Sequence, residues 1–298
     1  MRASSSFSFC ASAATPPDQK QLVVTADDFG AATEVNEAVE CAHRHGILTA
    51  ASLMVAAPAA RDAVRRAKAM PSLRTGLHIV LVEGRPILPP SIIPDLVGRN
   101  GLFRADMARA GAAMFFSKSV RRQMEDEIAA QFSAFHATGL PLDHVNAHKH
   151  FHLHPSIADA VLEIGRTYGM RALRVPLEPG RVLARTGHKR RNDSVSFITA
   201  PFARHLGTRF RKAGVRVPDA VFGLAWSGAM HQARLKAIID HLPAGLSEIY
   251  LHPATSGGFE GSAPGYRYAD EFAALIDPAV VSAARNPHIA LGGFSDFL

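Results

Sequence analysis

The feature that most constrains this chain is a regular exchange of short apolar runs with amphipathic segments. "QLVVTA" (21–26) is a β-branched apolar run, and after it Val35, Ala38, Val39 and Ala42 fall at helical spacing before Gly46. "TAASLMVA" (49–56), "TGLHIVL" (75–81), "LDHVNAH" (142–148), "RALRV" (171–175), "AVFGLAW" (220–226), "SEIYLHP" (247–253) and a last run near "IALGG" repeat the strand pattern. Helical spacing returns at 60–70, around 231–241 and around 269–276. It also returns in a long segment carrying Val120, Met124, Ile128, Phe132 and Phe135 toward Gly139. Pro155 suits a first helical turn, with Ile157, Ala160, Val161 and Ile164 as its buried stripe. A Pro-rich loop, "RPILPPSIIP" (85–94), interrupts the order.

A parallel return needs a crossover, and a helix supplies it, so this order predicts an α/β fold with a mostly parallel sheet. About seven such units point to a (β/α) barrel, TIM-like and incomplete at seven strands. No GxGxxG follows the first strand, which argues against a dinucleotide-binding sheet. With 298 residues, 47% of them hydrophobic, one domain over 20–298 has material for a large core. Residues 1–19, rich in Ser and Ala, have no continuous apolar stretch and read as a disordered lead-in and a poor secretory signal. No run approaches the ~18 apolar residues of a spanning helix, and two cysteines, Cys10 and Cys41, cannot form a disulfide framework. A cytoplasmic protein is expected. The net charge of +7 is local: residues 177–216 hold ten Lys or Arg against two acids. That basic insertion, with Phe197, Phe202 and Phe210 interspersed, could meet phosphate, anionic lipid or solvent.

In a βα barrel, chemistry collects where strands end. The first strand ends in "ADDFG" (26–30), the third carries "GLH" (76–78), the fourth ends in "NAHKH" (146–150), and a late strand ends in "LHP" (251–253). "DFG" without a Gly-rich loop, a VAIK lysine or an HRD loop is not a kinase motif. Two imidazoles and one carboxylate from three strand ends form a set that holds a divalent ion and leaves room for water. Asp28, His78 and His148 are the expected ligands, Asp27 the general base, and His252 the acid for a leaving amine. His150, His152 and Glu248 are assigned to the substrate or to support of the ligands, His144 and His154 to structure. His148 would share a strand face with His150 or a helix face with His152, and only one of these can hold.

"TADDFG", "GLH", "NAHKHFH" and "EIYLHP", in this order, resemble the YdjC-like (ChbG-type) carbohydrate deacetylases. The wording "VNEAVE", "LTAASLMV", "VLVEGRP", "LPLDHVNAHKHFHLHP" and "FGLAWSGAM" is closer still to the branch associated with hopanoid biosynthesis (HpnK-like). The resemblance spans roughly 21–298. It implies a (β/α) barrel, often incomplete, and metal-dependent removal of an N-acetyl group from an amino sugar. The same residues, Asp27, Asp28, His78, His148 and His252, carry the family's motif positions. The branch implies an N-acetylglucosaminyl hopanoid as substrate. Thr25 and Asn146 depart from the Asn and the acid that many relatives carry there, which leaves the ion open between zinc and magnesium, with manganese also compatible.

Two other classes are weighed. A glycoside hydrolase would use paired carboxylates and need no metal; a nucleic-acid-binding protein would use the basic segment, but no zinc finger, RNP or helix-turn-helix pattern is present. The expected partners are therefore an N-acetylated glycolipid or amino sugar, a peripheral contact with the inner membrane face and a homodimer, with no nucleic acid.

Overall fold

A computed structural model describes residues 19–189 and 193–298, with backbone only for 193–199. The expected lead-in, save Gln19, lies outside the described residues, as does the side chain of Phe197. The elements run β1 Lys20–Phe29, α1 Thr33–His45, β2 Ala50–Leu53, α2 Ala60–Lys68, β3 Arg74–Ile79, α3 Met107–Phe116, α4 Lys118–Ala137, β4 Val145–Ala147, α5 Pro155–Thr167, α6 Gly180–Arg185, α7 Asp193–Lys212, β5 Ala220–Phe222, α8 Gln232–Asp240, β6 Gly245–Leu251, α9 Tyr268–Ile276, α10 Pro278–Ala284 and β7 Ile289–Leu291.

All pairings between strands are parallel, in the order β4-β3-β2-β1-β6-β5, with β7 off this path against the first residues of β1. The result is a curled parallel sheet with six strands in one path. The run at 171–175 is not a regular strand. It makes single bridges, Val145 to Leu173 on one side and Ala172 to Arg216 on the other, between the edges where β4 and β5 lie. The described residues thus form a curled, barrel-like sheet of seven strands, six in one path and β7 beside β1, without a regular closure of all seven. The basic insertion is ordered into α6 and α7 where described, and α7 buries Ala203, Leu206 and Phe210 against the core. Of the three insertion phenylalanines, Phe202 alone is a described exposed ring.

The six strands of that path are buried on both faces, as expected where helices cover the outside of a parallel sheet. Alternation sorts them. Leu22, Val24 and Ala26 join the large core shared with the helices, whereas Val23 joins Ala50, Ala172, Leu246 and Phe294 in a small cluster inside the curl. Two residues further along, the inward positions become polar: Thr25, Ser52 and Glu248 on strands, with His144 just before β4 and Arg174 in the bridging run, are all fully or nearly fully buried. Another two residues on stand Asp27, His78, Asn146 and Tyr250. The interior is therefore a greasy floor, plugged by Phe294, under a hydrogen-bonded polar storey.

The Pro-rich excursion after β3 is held by the polar stripe of α4. The buried Glu127 carboxylate accepts from the Ile87 and Leu88 N–H groups, both at 2.9 Å, and Gln131 bonds both the N–H and the carbonyl of Val80. Those contacts satisfy groups that no strand or helix pairs. Gly76 of "GLH" has a packing reason: a Cβ there would stand 2.5 Å from the His144 carbonyl oxygen and 2.6 Å from its ring. Gly76→Ala is expected to push His144 out of place and cost about 1–3 kcal/mol, read as a lower midpoint in chemical denaturation; an unchanged midpoint would show that the interior yields freely there.

Candidate active site

Asp27 and Asp28 face one cavity because β1 is irregular, not because it has ended. The register against β2 shifts between Ala26 and Phe29, and Asp28 takes a left-handed φ of 61°, a conformation Asp tolerates better than most residues. The bulge lets neighbouring carboxylates share a side that strict alternation would deny them.

The Asp28 Oδ1 atom lies 3.2 Å from His78 Nε2 and 3.3 Å from His148 Nδ1, and one ligand atom from each of the three residues falls within 4.8 Å of the others. Asp28 Oδ1 and His78 Nε2 are buried without a hydrogen-bond partner. Buried polar atoms are rarely left so, and two converging lone pairs are what a cation requires. His78 is oriented from behind, its Nδ1 2.6 Å from Asn146 Oδ1. If Nδ1 carries the proton, Nε2 faces Asp28 as a free lone pair. The charge balance points the same way. Asp27, Asp28 and Glu248 share this interior with the cation Arg174, leaving an excess of negative charge for a divalent ion to neutralise. These residues fit a divalent metal. Without one, Asp28 pulls the His148 pKa upward against the effect of burial.

Arg174, absent from the sequence expectations, organises the other half of the site. Its guanidinium is fully buried and bonds Asp27 Oδ2 at 2.5 Å, Asp27 Oδ1 at 3.0 Å, and both Glu248 oxygens at 2.7 and 2.9 Å. Burial alone would raise the Asp27 pKa, but the adjacent guanidinium prevails and holds the carboxyl well below the usual range. Asn146 links the halves, donating to Asp27 Oδ1 at 3.0 Å and to Ser52 Oγ at 2.9 Å. Behind Ser52 the chain of bonds continues through His144 to Asp143, which also accepts from the Ser295 N–H.

The histidine segment settles into neither relation expected of it. Residues His148–Leu153 form a 3-10 stretch broken at Lys149 and His150, both left-handed with φ of 54°. His148 reaches Asp28; His150 bonds the Tyr250 hydroxyl at 3.0 Å; His152 is buried against the Arg174 carbonyl at 2.7 Å. Burial lowers His152 to about 4 and His150 well below its ordinary value, so both rings are neutral. Glu248 is fully buried, does not line the cavity, and accepts hydrogen bonds from Arg174 and from the Thr25 hydroxyl. His152 likewise does not line the cavity; His150 does. His252 lines it too, with its backbone N–H bonded to Glu271 at 2.6 Å and its ring Nδ1 3.9 Å from the same carboxylate. His144 is buried and His154 sits beside Phe115.

The cavity over these groups encloses about 1280 Å³ and is lined by apolar side chains, among them Met54, Val55, Val80, Leu224 and Phe259, besides the polar cluster. Tyr250, Tyr266 and Tyr268 stand along the His252 side.

The model of the YdjC-like protein family matches residues 21–286, most of the chain. This chain belongs to the YdjC-like family. Its relatives include a carbohydrate deacetylase of Geobacillus stearothermophilus, 30% identical over 281 residues that cover 93% of this chain and 98% of the relative. A mouse carbohydrate deacetylase is 31% identical over 78% of this chain and 77% of its own. An Enterococcus faecalis crystal structure, provisionally named for cellobiose-phosphate cleavage, superposes with a TM-score of 0.73 at 24% identity. It covers 94% of this chain and 99% of that one, a likeness of fold alone.

Two outcomes follow from this YdjC-like geometry. Arg174→Met strands two buried carboxylates and is expected to cost about 3–5 kcal/mol of stability; melting at the wild-type temperature would show that the guanidinium is not what holds them. His78→Ala removes one of the converging lone pairs, and metal analysis of the purified variant is expected to find the divalent ion lost while the far-ultraviolet spectrum stays native.

Proposed function

We propose that the protein is a metal-dependent carbohydrate N-deacetylase that hydrolyses the acetamide of an amino sugar. The observation that carries this reading is the convergence of Asp28, His78 and His148 beside a separate carboxylate, Asp27, held ionised by Arg174. The names of the relatives supply the substrate class. Asp28, His78 and His148 would hold the ion. When bound, a divalent ion there acidifies a water and polarises the acyl oxygen.

The chain's own residues do the rest. Asp27 takes the proton of the attacking water; its fixed orientation, set by Arg174 and Asn146, keeps an acceptor aimed at the cavity. His252, across the cavity with Glu271 at its back, delivers a proton to the departing amine. Neutral His150 and the Tyr250 hydroxyl offer hydrogen bonds to sugar oxygens. The apolar wall excludes water from the reacting centre. Its extent is compatible with a substrate that carries an apolar aglycone, and the resemblance of "VNEAVE", "LTAASLMV" and "FGLAWSGAM" to the hopanoid branch makes an N-acetylglucosaminyl hopanoid the specific substrate we put forward.

The paired-carboxylate alternative fares worse. It needs one protonated acid of raised pKa, whereas Asp27 and Asp28 are both held low by their cationic or imidazole neighbours despite burial. A nucleic-acid role has less to stand on once Arg209 and Arg211 of the basic insertion are found ion-paired with Asp159 and Asp219.

Acetate release from N-acetylglucosaminyl substrates, with and without a lipid tail, tests the reading. Chelation should abolish turnover and added zinc or magnesium restore it. Asp27→Asn should lower turnover by at least about 100-fold with the metal content kept. Glycosidic cleavage in place of acetate release, or turnover that survives chelation, would overturn it.

A further inference from the structure

The corner between α3 and α4 presents two adjacent rings to solvent: Phe115 is 47% and Phe116 83% exposed. Ile92 of the Pro-rich loop, 54% exposed, borders a shallow depression with Lys118, Ser119, Arg121 and Arg122 just beyond them. Single exposed apolar residues are ordinary; a Phe-Phe pair with an isoleucine nearby is not. The corner is also firmly built. Ser117 caps α4 through the Val120 N–H, and Arg121 donates to the Phe115 carbonyl at 2.7 Å. The rings meet edge to face at 5.0 Å. They stand beside the capped start of α4, at a cost in exposed apolar area that the fold itself does not recover.

We propose that this corner is a docking surface for an anionic lipid bilayer, with Phe115, Phe116 and Ile92 entering the interface and the neighbouring cations meeting headgroup phosphates. Charge complementarity selects that occupant. Between residues 104 and 122 the chain carries Arg104, Arg109, Lys118, Arg121 and Arg122 against a single acid, Asp106. All but the partly covered Arg121 are exposed. Glu125 and Asp126 line the same depression and stand against Lys118, Arg121 and Arg122 there, while Asp95 is engaged by Gln123. A second copy is the weaker occupant, because a two-fold contact sets the patch on itself and would bring like cations together. An anionic bilayer pairs the same cations with negative charge while taking up the rings.

Placement gives the surface a use. α3 lies against the start of α5, where Gly111 faces His154 and Phe151. That junction directly follows β4 and His148. Gly84, Arg85 and Leu102, from the same excursion that leads into α3, line the cavity. The corner thus stands at the cavity's end of the sheet, and docking through it turns that end toward the lipid. This inference goes beyond the deacetylase reading and does not require it.

Co-sedimentation of the full chain with vesicles of phosphatidylcholine alone, and with about a third phosphatidylglycerol, tests it without any enzymatic readout. Binding is expected to the anionic vesicles only, weakening as salt rises. Phe116→Ser should lower the partition by about tenfold, and Lys118→Gln with Arg122→Gln by roughly fivefold per charge. Both variants should keep the wild-type melting temperature and the wild-type turnover of a water-soluble amino-sugar substrate. No binding by the wild type, equal binding by the variants, or a solution dimer that Phe116→Ser dissociates would each overturn the proposal. Absence of turnover with intact vesicle binding would sink the enzymatic reading and leave this one standing.

Discussion

A buried guanidinium between two buried carboxylates is the constraint on which this interior depends. Arg174 enters the curl of the sheet from the irregular segment after α5 and meets Asp27 from β1 and Glu248 from β6. Each charge would be very costly to bury alone; together, with every guanidinium nitrogen donating, they form a set whose members require one another. Tyr250 lies under the same guanidinium at 4.4 Å. The arrangement gives Asp27 an ionised state and a fixed direction before any substrate arrives. The small apolar floor beneath, with Phe294 as its plug, keeps water from reaching this set from below.

The half of the site that brings Asp28, His78 and His148 together is built on backbone that most residues avoid. Asp28, Lys149 and His150 are all left-handed, and Glu83, which pairs with Lys149 at the cavity rim, is left-handed as well. Such conformations cost free energy and persist when the surroundings enforce them. Here the enforcing contacts are visible: Asp28 between two imidazoles, His150 on the Tyr250 hydroxyl, and His152 on the Arg174 carbonyl. The two halves of the site are therefore one mechanical unit, joined through Asn146. An acid at that position would set a second carboxylate against Asp27, whereas the amide donates to Asp27 and accepts from His78 at once.

Much of the site was legible because strand ends write themselves locally. The runs ending in "ADDFG", "GLH", "NAHKH" and "LHP" could be found by periodicity, and the structure brings Asp28, His78 and His148 to one point, with Asp27 and His252 on the same cavity. Arg174 was not legible. In "RALRV" it reads as one polar residue of a strand, and nothing nearby in sequence announces carboxylates 147 and 74 positions away. Glu248 was noticed but left between substrate and support of the ligands, because alternation places it on the inward face without saying how deep. His150 and His152 could not be apportioned, since a left-handed break fits neither a strand nor a helix period.

The order of its hydrophobic periods by itself determined that this chain forms alternating strands and helices, a parallel sheet, and a collection of acids and imidazoles at the strands' carboxyl ends. Those are consequences of short-range geometry: a period of two or of 3.6, and a crossover that must be helical. What only the tertiary structure decided is which of those groups are paired, how deep each lies, and where the sheet's regularity lapses at 171–175. The reason is that pairing energies in a dry interior depend on distances between residues remote along the chain, and these exist only once the sheet has curled.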